Sequence, residues 1–244
     1  MPEEPIAERV SGHALPGAAS TGPLHWYTKQ KSTPGFLADP AQERAATRLQ
    51  QLFDELIEFK TYRGRPFMKT FGRRSPPRGL YIHGSVGRGK SMLMDAFYSQ
   101  LPYRRKRRVH FHAFMQTVHR ELAALKQETD PLILVAEKLA RDVRVLCFDE
   151  FHVHDIGDAM LITRLFQALF ARRIFVLVTS NYAPEGLLPN PLYHQRFRPV
   201  IHLVNSQMQV VEVTGEQDYR SLPSTASHQR FTQGYYLWPG HPEQ

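Results

Sequence analysis

The amino-acid sequence predicts an α/β fold in which a parallel sheet is flanked by helices on both faces. Two observations carry this prediction. From Gly79 onward, short and nearly continuous apolar segments alternate with segments of helical periodicity, a pattern typical of parallel strands that are buried on both sides. In addition, a glycine-rich turn at residues 84–91 follows the first apolar segment and precedes a helical one, as in the βα units that build such sheets.

Size and composition set the boundaries of the interpretation. The chain has 244 residues, of which 42% are hydrophobic and 22% charged, a mixture typical of a soluble globular protein with a large core. No apolar stretch approaches the roughly 20 residues that cross a bilayer, and the acidic N-terminal tip predicts neither a signal peptide nor a mitochondrial presequence. The single cysteine, Cys147, fits a reducing cytosol, so a cytoplasmic location is predicted. The net charge of +8 suits an anionic ligand or partner, but it does not distinguish among a nucleic acid, a nucleotide and an acidic protein.

Two segments are predicted to precede the sheet. Residues 1–24 are rich in proline, glycine, alanine and serine and show no periodicity, which predicts a disordered leader. Residues 25–78 form a helical and loop segment, in which Asp39 suits the N-cap of a helix and Pro40 its first position. Apolar residues at helical spacing carry this helix to about residue 60, and the basic, proline-rich residues 60–78 predict a loop.

The alternating pattern itself covers residues 79–220. Apolar runs predict strands within residues 79–84, 108–115, 143–151 and 172–181, with one or two more within 200–213. Helical spacing predicts helices near residues 90–101, from the end of the second run to about 126, and over 131–141 and 159–170. Residues 221–244 are too irregular and too short for a second domain and are expected to form a tail.

The most specific motif is GSVGRGKS, which fits the phosphate-loop pattern G-x-x-x-x-G-K-[ST] and lies between a strand and a helix as that pattern requires. Its glycines let the backbone approach a phosphate, and its N–H groups point inward at a helix N-terminus, which favours an anion. Lys90 is placed to reach the β- and γ-phosphates of ATP, and the Ser91 hydroxyl to bind Mg²⁺. The predicted nucleotide-binding residues are Gly84, Ser85, Val86, Gly87, Arg88, Gly89, Lys90 and Ser91.

Polar residues end two later apolar strands. VLCFDE brings Asp149 and Glu150 to the carboxyl edge of the sheet, where open α/β folds bind ligands. We expect Asp149 to hold Mg²⁺ and Glu150 to polarise an attacking water, a group that a hydrolase needs and a nucleotide kinase must avoid. VLVTSN similarly ends in Asn181, which is placed to orient that water beside the γ-phosphate.

With these motifs in view, the chain resembles the AAA+ ATPases of the ZapE family, bacterial cell-division ATPases with mitochondrial relatives of AFG and LACE type. The similarity spans roughly residues 25–220. The segments that carry it are FLADPAQERAATRLQQL (36–52), RGLYIHGSVGRGKSMLMDAFY (78–98), VHFHAFMQTVHREL (109–122), TDPL (129–132), VLCFDEFHVHDIGDAMLI (145–162), ALFARRIFVLVTSN (168–181) and RFRPVI (196–201).

The resemblance implies a phosphate-loop NTPase of AAA+ type with Mg²⁺-ATP sites completed between subunits of a homo-oligomer. It implies a protein partner, FtsZ or another component of the division ring, or in mitochondria a role in protein quality control. Arg196 occupies the place of the arginine that reaches a neighbouring subunit's γ-phosphate, with Arg198 as the alternative. Family members continue beyond the segment matching GYYLWP with a region expected to include the helical lid, which this chain is predicted to lack.

Other features have more ordinary interpretations. His110 and His112 are expected on one face of a strand, with His119, His152 and His154 nearby, yet their spacing favours structural histidines over a metal site. The run RRKRR at residues 104–108 lacks the interleaved aromatic residues of a single-strand binding platform, so a solvated basic loop is favoured. Nucleic acid is therefore not the expected partner, although contact with an acidic protein or peripheral contact with a membrane stays open.

The sequence as a whole predicts Mg²⁺-dependent hydrolysis of ATP coupled to work on a protein. Two alternatives belong to other classes. One is a nucleotide-dependent binding module without significant turnover. The other is a nucleic-acid-stimulated ATPase of the helicase-loader kind, suggested by the charge of +8 and the RRKRR run. Two further hypotheses concern individual side chains. Cys147 is expected to be a buried apolar residue, and Asp39 and Gln42 are expected to border the adenine of ATP.

Overall fold

A computed structural model describes residues 22–64, 75–125, 127–153, 156–187 and 191–214. Within these ranges the chain forms seven α-helices, five β-strands and a 3₁₀ turn at Pro184–Gly186. The strands are β1 (Gly79–His83), β2 (Lys106–His110), β3 (Val145–Asp149), β4 (Phe175–Ser180) and β5 (Met208–Glu212). The helices are α1 (Gly22–Lys31), α2 (Pro40–Gly64), α3 (Lys90–Gln100), α4 (Phe111–Ala124), α5 (Pro131–Asp142), α6 (Ile156–Ala171) and α7 (Pro191–Gln207).

The five described strands form one parallel sheet in the order β2-β3-β4-β1-β5. Because consecutive strands run in the same direction, each connection returns across a face of the sheet, which covers both faces with helices. The central strands β3 and β4 are buried along their whole length, whereas the edge strand β2 is partly exposed. The fold class predicted from the sequence, a parallel sheet flanked by helices, is confirmed.

Alternate residues of the strands point into two separate cores. Leu80 and Ile82 of β1 join the core that lies under α1, α2 and α3, while Tyr81 points into the core formed by α4, α5, α6 and α7. The second core contains a group of contacting aromatic rings, in which Phe148 stacks on Phe166 with centroids 5.8 Å apart. Burial of both faces explains why the strand sequences are continuously apolar.

The N-terminal region is more helical than the sequence predicted. Helix α1 begins at Gly22, so the last three residues of the expected leader are helical, while residues 1–21 lie outside the described ranges. This helix is anchored by Tyr27, whose side chain is fully buried, and not by an amphipathic pattern, which is why periodicity did not reveal it. Helix α2 begins at Pro40, as predicted, and continues to Gly64, so the first five residues of the expected loop, 60–64, are helical.

Residues 200–213 contain one strand, β5, which agrees with the prediction of one or two strands in this range. Residues 200–207 belong to α7, which buries Val200 and Val204 on one helical face. Two further predictions need correction. Residues 106–108 are not a solvated loop, because they open the edge strand β2. His110 ends β2 and His112 lies in α4, so the two histidines do not share a strand face. His154, residues 65–74 of the predicted loop and the predicted tail lie outside the described residues.

Candidate active site

The carboxyl ends of three neighbouring strands define the candidate site. Strand β1 leads into Gly84, β3 ends at Asp149, and β4 ends just before Asn181. Strand β4 lies between β3 and β1 in the sheet, so the three polar segments predicted from separate motifs meet at one edge.

The phosphate loop has a backbone that depends on glycine at fixed positions. Gly87 and Gly89 have φ angles of 80° and 74°, in the left-handed region, and Gly84 has a φ of 153°. A Cβ atom at Gly84 would lie 2.1 Å from the carbonyl oxygen of Val213, which follows the neighbouring edge strand. Helix α3 then begins at Lys90, so the loop opens directly onto a helix N-terminus, which favours an anion.

The Lys90 side chain folds back over the loop. It is only 8% exposed, and its Nζ donates hydrogen bonds to the carbonyl oxygens of Gly84 and Ser85, at 2.7 and 2.8 Å. The ammonium group is therefore held over the loop by backbone acceptors. Ser91, at the second position of α3, has an exposed side chain, so its hydroxyl is open to a ligand at the mouth of the loop.

Asp149 is buried and held by two side chains that the sequence analysis did not identify. Its carboxylate is 5% exposed and accepts a hydrogen bond from Arg108 Nε at 2.5 Å. The Thr179 hydroxyl donates to the other carboxylate oxygen at 3.2 Å. Arg108 also pairs with Asp95 on α3. Burial alone lowers the pKa of the Arg108 guanidinium, but its bonds to Asp149 and Asp95 outweigh this effect and raise it.

Glu150 lies just beyond the buried strand in a strained conformation. Its φ of 54° is in the left-handed region, which is uncommon for a residue with a Cβ atom. Its N–H donates to the Thr179 hydroxyl at 3.3 Å, and His152 Nδ1 lies 2.6 Å from its carbonyl oxygen. This conformation turns the side chain away from the core, so the carboxylate is 67% exposed and lies 3.9 Å from His110 Nδ1.

Neighbouring β4 supplies the third part of the site. Ser180 is buried, and its hydroxyl donates to the carbonyl oxygen of Phe151 at 2.7 Å, which ties the end of β4 to the segment after Glu150. Asn181 follows as an exposed residue, and its role in orienting water stays a prediction. Arg196 lies in α7, and its side chain is not among the described parts of the chain. Arg198 lies on the same helix and is exposed.

The N-terminal helices contact the phosphate loop directly. Gln42 is 2% exposed, and its Nε2 donates to the carbonyl oxygen of Arg88 at 3.1 Å. Asp39 caps α2, because its Oδ1 accepts the N–H of Ala41 at 2.7 Å, which confirms its predicted N-cap role. The Tyr27 hydroxyl accepts the N–H of Asp39 at 3.1 Å and lies 3.3 Å from Gln42 Oε1. Whether Asp39 and Gln42 border a nucleotide base stays a prediction.

The oxygen atoms of the site fit a hard divalent cation. The Ser91 hydroxyl and the Asp149 carboxylate are the type of ligand that Mg²⁺ prefers. Among the described residues, no group of three His, Cys, Asp or Glu side chains is positioned to hold a metal. A cation here would thus take most of its ligands from substrate phosphates and water, as Mg²⁺ commonly does.

Comparison with known proteins places these features in a family. The chain is 42% identical over 220 residues to the cell division protein ZapE of Escherichia coli K12, an alignment that covers 86% of this chain and 59% of ZapE. It is 43% identical over 157 residues to lactation elevated protein 1 homolog B of Danio rerio, which covers 60% of this chain and 31% of that protein. This chain thus spans less than two thirds of the length of each of these relatives.

Two further findings concern the fold and the membrane. The crystal structure of DnaI superposes with a TM-score of 0.50 at 19% identity, over 77% of this chain and 88% of that one, a likeness of fold. None of the helices in the described ranges combines the length and apolar character needed to span a bilayer. The model of the AFG1-like ATPase family matches residues 21–239, and the chain therefore belongs to the AFG1-like ATPase family.

Proposed function

We propose that this chain binds Mg²⁺-ATP at the carboxyl edge of its sheet and hydrolyses it to ADP and phosphate. The observation that carries the proposal is the meeting of the phosphate loop with Asp149 and Glu150 at one edge. The proposed reaction needs a loop for the phosphates, a carboxylate for the metal and a carboxylate for the attacking water. The last two groups have different environments, because Asp149 is buried and Glu150 is exposed. Membership of an ATPase family supports the same reaction.

Substrate binding falls to the phosphate loop. We expect the N–H groups of the loop and the N-terminus of α3 to receive the β- and γ-phosphates. The Lys90 ammonium already lies above the loop on the carbonyl oxygens of Gly84 and Ser85, and we expect it to exchange these neutral acceptors for phosphate oxygens. Ser91 and Asp149 are the protein groups that would hold Mg²⁺, which would neutralise the charge that develops on the phosphates.

Glu150 is the residue that we assign as general base. Its carboxylate is exposed to water beyond the strand, whereas Asp149 is buried beneath it. The water oxygen attacks the γ-phosphorus and gives its proton to Glu150, while the bond from that phosphorus to the β–γ bridging oxygen breaks and ADP leaves. Asn181, at the end of the adjacent strand, would orient this water.

The resemblance to oligomeric ATPases suggests that a second subunit completes the site. We assign to Arg196 the role of reaching the γ-phosphate bound by a neighbouring copy, with Arg198 as the alternative. Such an arginine stabilises transition-state charge and is worth about 10³–10⁵ in turnover. The likeness to a bacterial cell division protein suggests in turn a cytoplasmic role on a protein partner of the division ring, FtsZ by resemblance.

The test is ATP turnover measured as a function of protein concentration. We expect turnover to rise more than linearly with the concentration of the wild-type chain, and to vanish in Lys90→Ala, Glu150→Gln and Arg196→Ala. Glu128→Gln removes one exposed carboxylate outside the site and serves as the matched control. Flat turnover that is equal in wild type and Glu150→Gln would refute hydrolysis at this site and leave nucleotide binding alone. Loss of activity in Arg198→Ala but not in Arg196→Ala would move the trans role to Arg198.

A further inference from the structure

A cluster of arginines lies at the amino-terminal ends of the strands, at the end of the sheet opposite to the candidate active site. Arg105 immediately precedes β2, Arg144 immediately precedes β3, and Arg172 lies three residues before β4. Together with Arg141 in the last turn of α5, these residues line an open cleft of about 550 Å³. We call this the arginine cleft. Its lining contains four arginines, with Glu137 and Ala140 as the other members.

Part of this charge has a structural role. Arg105 donates to the carbonyl oxygen of Ala140 at 2.8 Å, and Arg172 to that of Ala168 at 3.1 Å. Both acceptors lie near helix C-termini, which attract cations through the helix dipole. Arg172 also pairs with Glu137 at 2.8 Å. Each guanidinium carries about five N–H donors, so these bonds satisfy only part of the donor capacity of the two side chains.

The rest of the charge is not neutralised by the described residues. Arg105 Nε is buried and has no hydrogen-bond acceptor within those ranges. Nor do Arg141 and Arg144 have a side-chain hydrogen bond or ion pair there. The pKa of Arg144 is lowered. Burial is the largest cause, and the like charges of Arg105 and Arg63 lower it further. An anion that bound in the cleft would relieve this repulsion between positive charges.

The shape and chemistry of the cleft favour phosphate over a nucleic acid strand. No aromatic side chain lines it, so it offers no surface on which bases would stack. Its volume is within the range of small-ligand sites. Guanidinium groups bind phosphate oxygens through paired N–H donors, which gives both charge and geometry.

We propose that the arginine cleft is a second anion site, separate from the phosphate loop, that binds two or more phosphates presented close together. The phosphates belong either to a free molecule such as pyrophosphate or to adjacent headgroups of an anionic phospholipid surface. This proposal does not depend on ATP turnover, because the cleft lies about one strand length, roughly 17 Å, from the phosphate loop.

Pyrophosphate is the first probe, and calorimetric titration of the full chain is the measurement. All variants carry Lys90→Ala, so that the phosphate loop contributes little to binding. We expect the double variant Arg141→Gln/Arg144→Gln to bind pyrophosphate about tenfold more weakly or worse. The matched control is Arg44→Gln/Arg120→Gln, which removes the same charge from exposed positions on α2 and α4 and should keep the affinity. The backbone hydrogen bonds of Arg144 remain in the variant, and the side chains of Arg141 and Arg144 make no hydrogen bond or ion pair with the described residues. Both double variants should therefore melt within a few degrees of the Lys90→Ala parent.

Vesicles distinguish the two sources of phosphate. The same proteins are sedimented with vesicles of phosphatidylglycerol and phosphatidylcholine, and with phosphatidylcholine alone. If Arg141→Gln/Arg144→Gln loses binding to the anionic vesicles and Arg44→Gln/Arg120→Gln keeps it, the site is assigned to a lipid surface. Pyrophosphate binding with no such vesicle effect assigns it to a free ligand. Equal behaviour of the two doubles in both assays, or no binding in either, would overturn the proposal.

Discussion

Replacing Arg108 by glutamine removes the cation that faces the buried carboxylate of Asp149. The side chains of the pair are 23% and 5% exposed. Asp149 would be left nearly desolvated, with Thr179 as the remaining donor to its carboxylate among the described residues. Removing one partner of a buried pair costs about 3–5 kcal/mol. Because Arg108 is partly exposed and water enters when it is shortened, we expect a loss near the lower limit, about 3 kcal/mol. The contact with Asp95 adds little, since that carboxylate is 62% exposed.

In a chain of this size each kcal/mol shifts the melting temperature by about 2–4 °C. The expected decrease for Arg108→Gln is therefore about 6–12 °C in the absence of nucleotide and divalent cations. Arg107→Gln is the matched control, because it removes the same charge one residue earlier on the same strand from an exposed side chain. It should shift the melting temperature by less than about 2 °C.

Mg²⁺ provides the second half of the measurement. A divalent cation held by Asp149 replaces the missing charge, so Mg²⁺ should stabilise Arg108→Gln more than the wild-type chain, in which Arg108 competes for the same carboxylate. At about one hundred times its Kd, a ligand that binds only the folded state adds about 2.7 kcal/mol. The reasoning is refuted if the two arginine variants melt alike, or if Arg108→Gln costs as much in an Asp149→Asn background as in the wild type.

Three further changes test other parts of the structure. Gly84→Ala places a Cβ 2.1 Å from a backbone carbonyl oxygen, and we expect denaturant titration to show a loss of about 3 kcal/mol or more, whereas Gly186→Ala, with 3.7 Å of space, should be nearly neutral. Thr179→Val should cost about 1–3 kcal/mol in the same assay by removing the hydroxyl between the two acidic residues, and Thr179→Ser should restore it; equal losses would contradict this role. Burial raises the pKa of the Cys147 thiol from 9.0 to about 12, so a thiol reagent at pH 8 should modify the native chain only through unfolding. Because the unfolded thiol ionises first, the contribution of Cys147 to stability should fall as pH rises from about 9 to 12, and Cys147→Ala should lack that decrease.

The parts of the site that lie on one continuous segment were predictable from the sequence. The phosphate loop is such a segment, since local spacing sets the positions of its glycines and places Lys90 and Ser91 at the start of α3. The acidic end of β3 was predictable for the same reason. Arg108 was not, because its role depends on strand pairing: β2 lies beside β3 in a register that sets Arg108 opposite Cys147 and His110 opposite Asp149. In the sequence, Arg108 is simply the last of five basic residues.

Helices α1 and α7 were not predicted from the sequence, for different physical reasons. Helix α1 has basic residues in its last turn and few apolar ones, yet Tyr27 inserts fully into the core. Helix α7 contains Pro199, a residue type that usually interrupts a helix, and its last residues begin the apolar run that was predicted to contain one or two strands. Its helical conformation is favoured because Phe197, Val200 and Val204 lie on one buried face.

The contacts of the N-terminal helices indicate that they form part of the site and not merely an attachment to it. Gln42 donates to the carbonyl oxygen of Arg88, and its Nε2 lies 2.9 Å from the position that a Cβ at Gly89 would occupy. The amide therefore fills the space that this glycine leaves open. Tyr27 fixes the same region through its contacts with Asp39 and Gln42. A change in the shape of the phosphate loop on binding an anion would consequently be transmitted to α1 and α2, because a buried amide that loses its acceptor must move or remain unsatisfied.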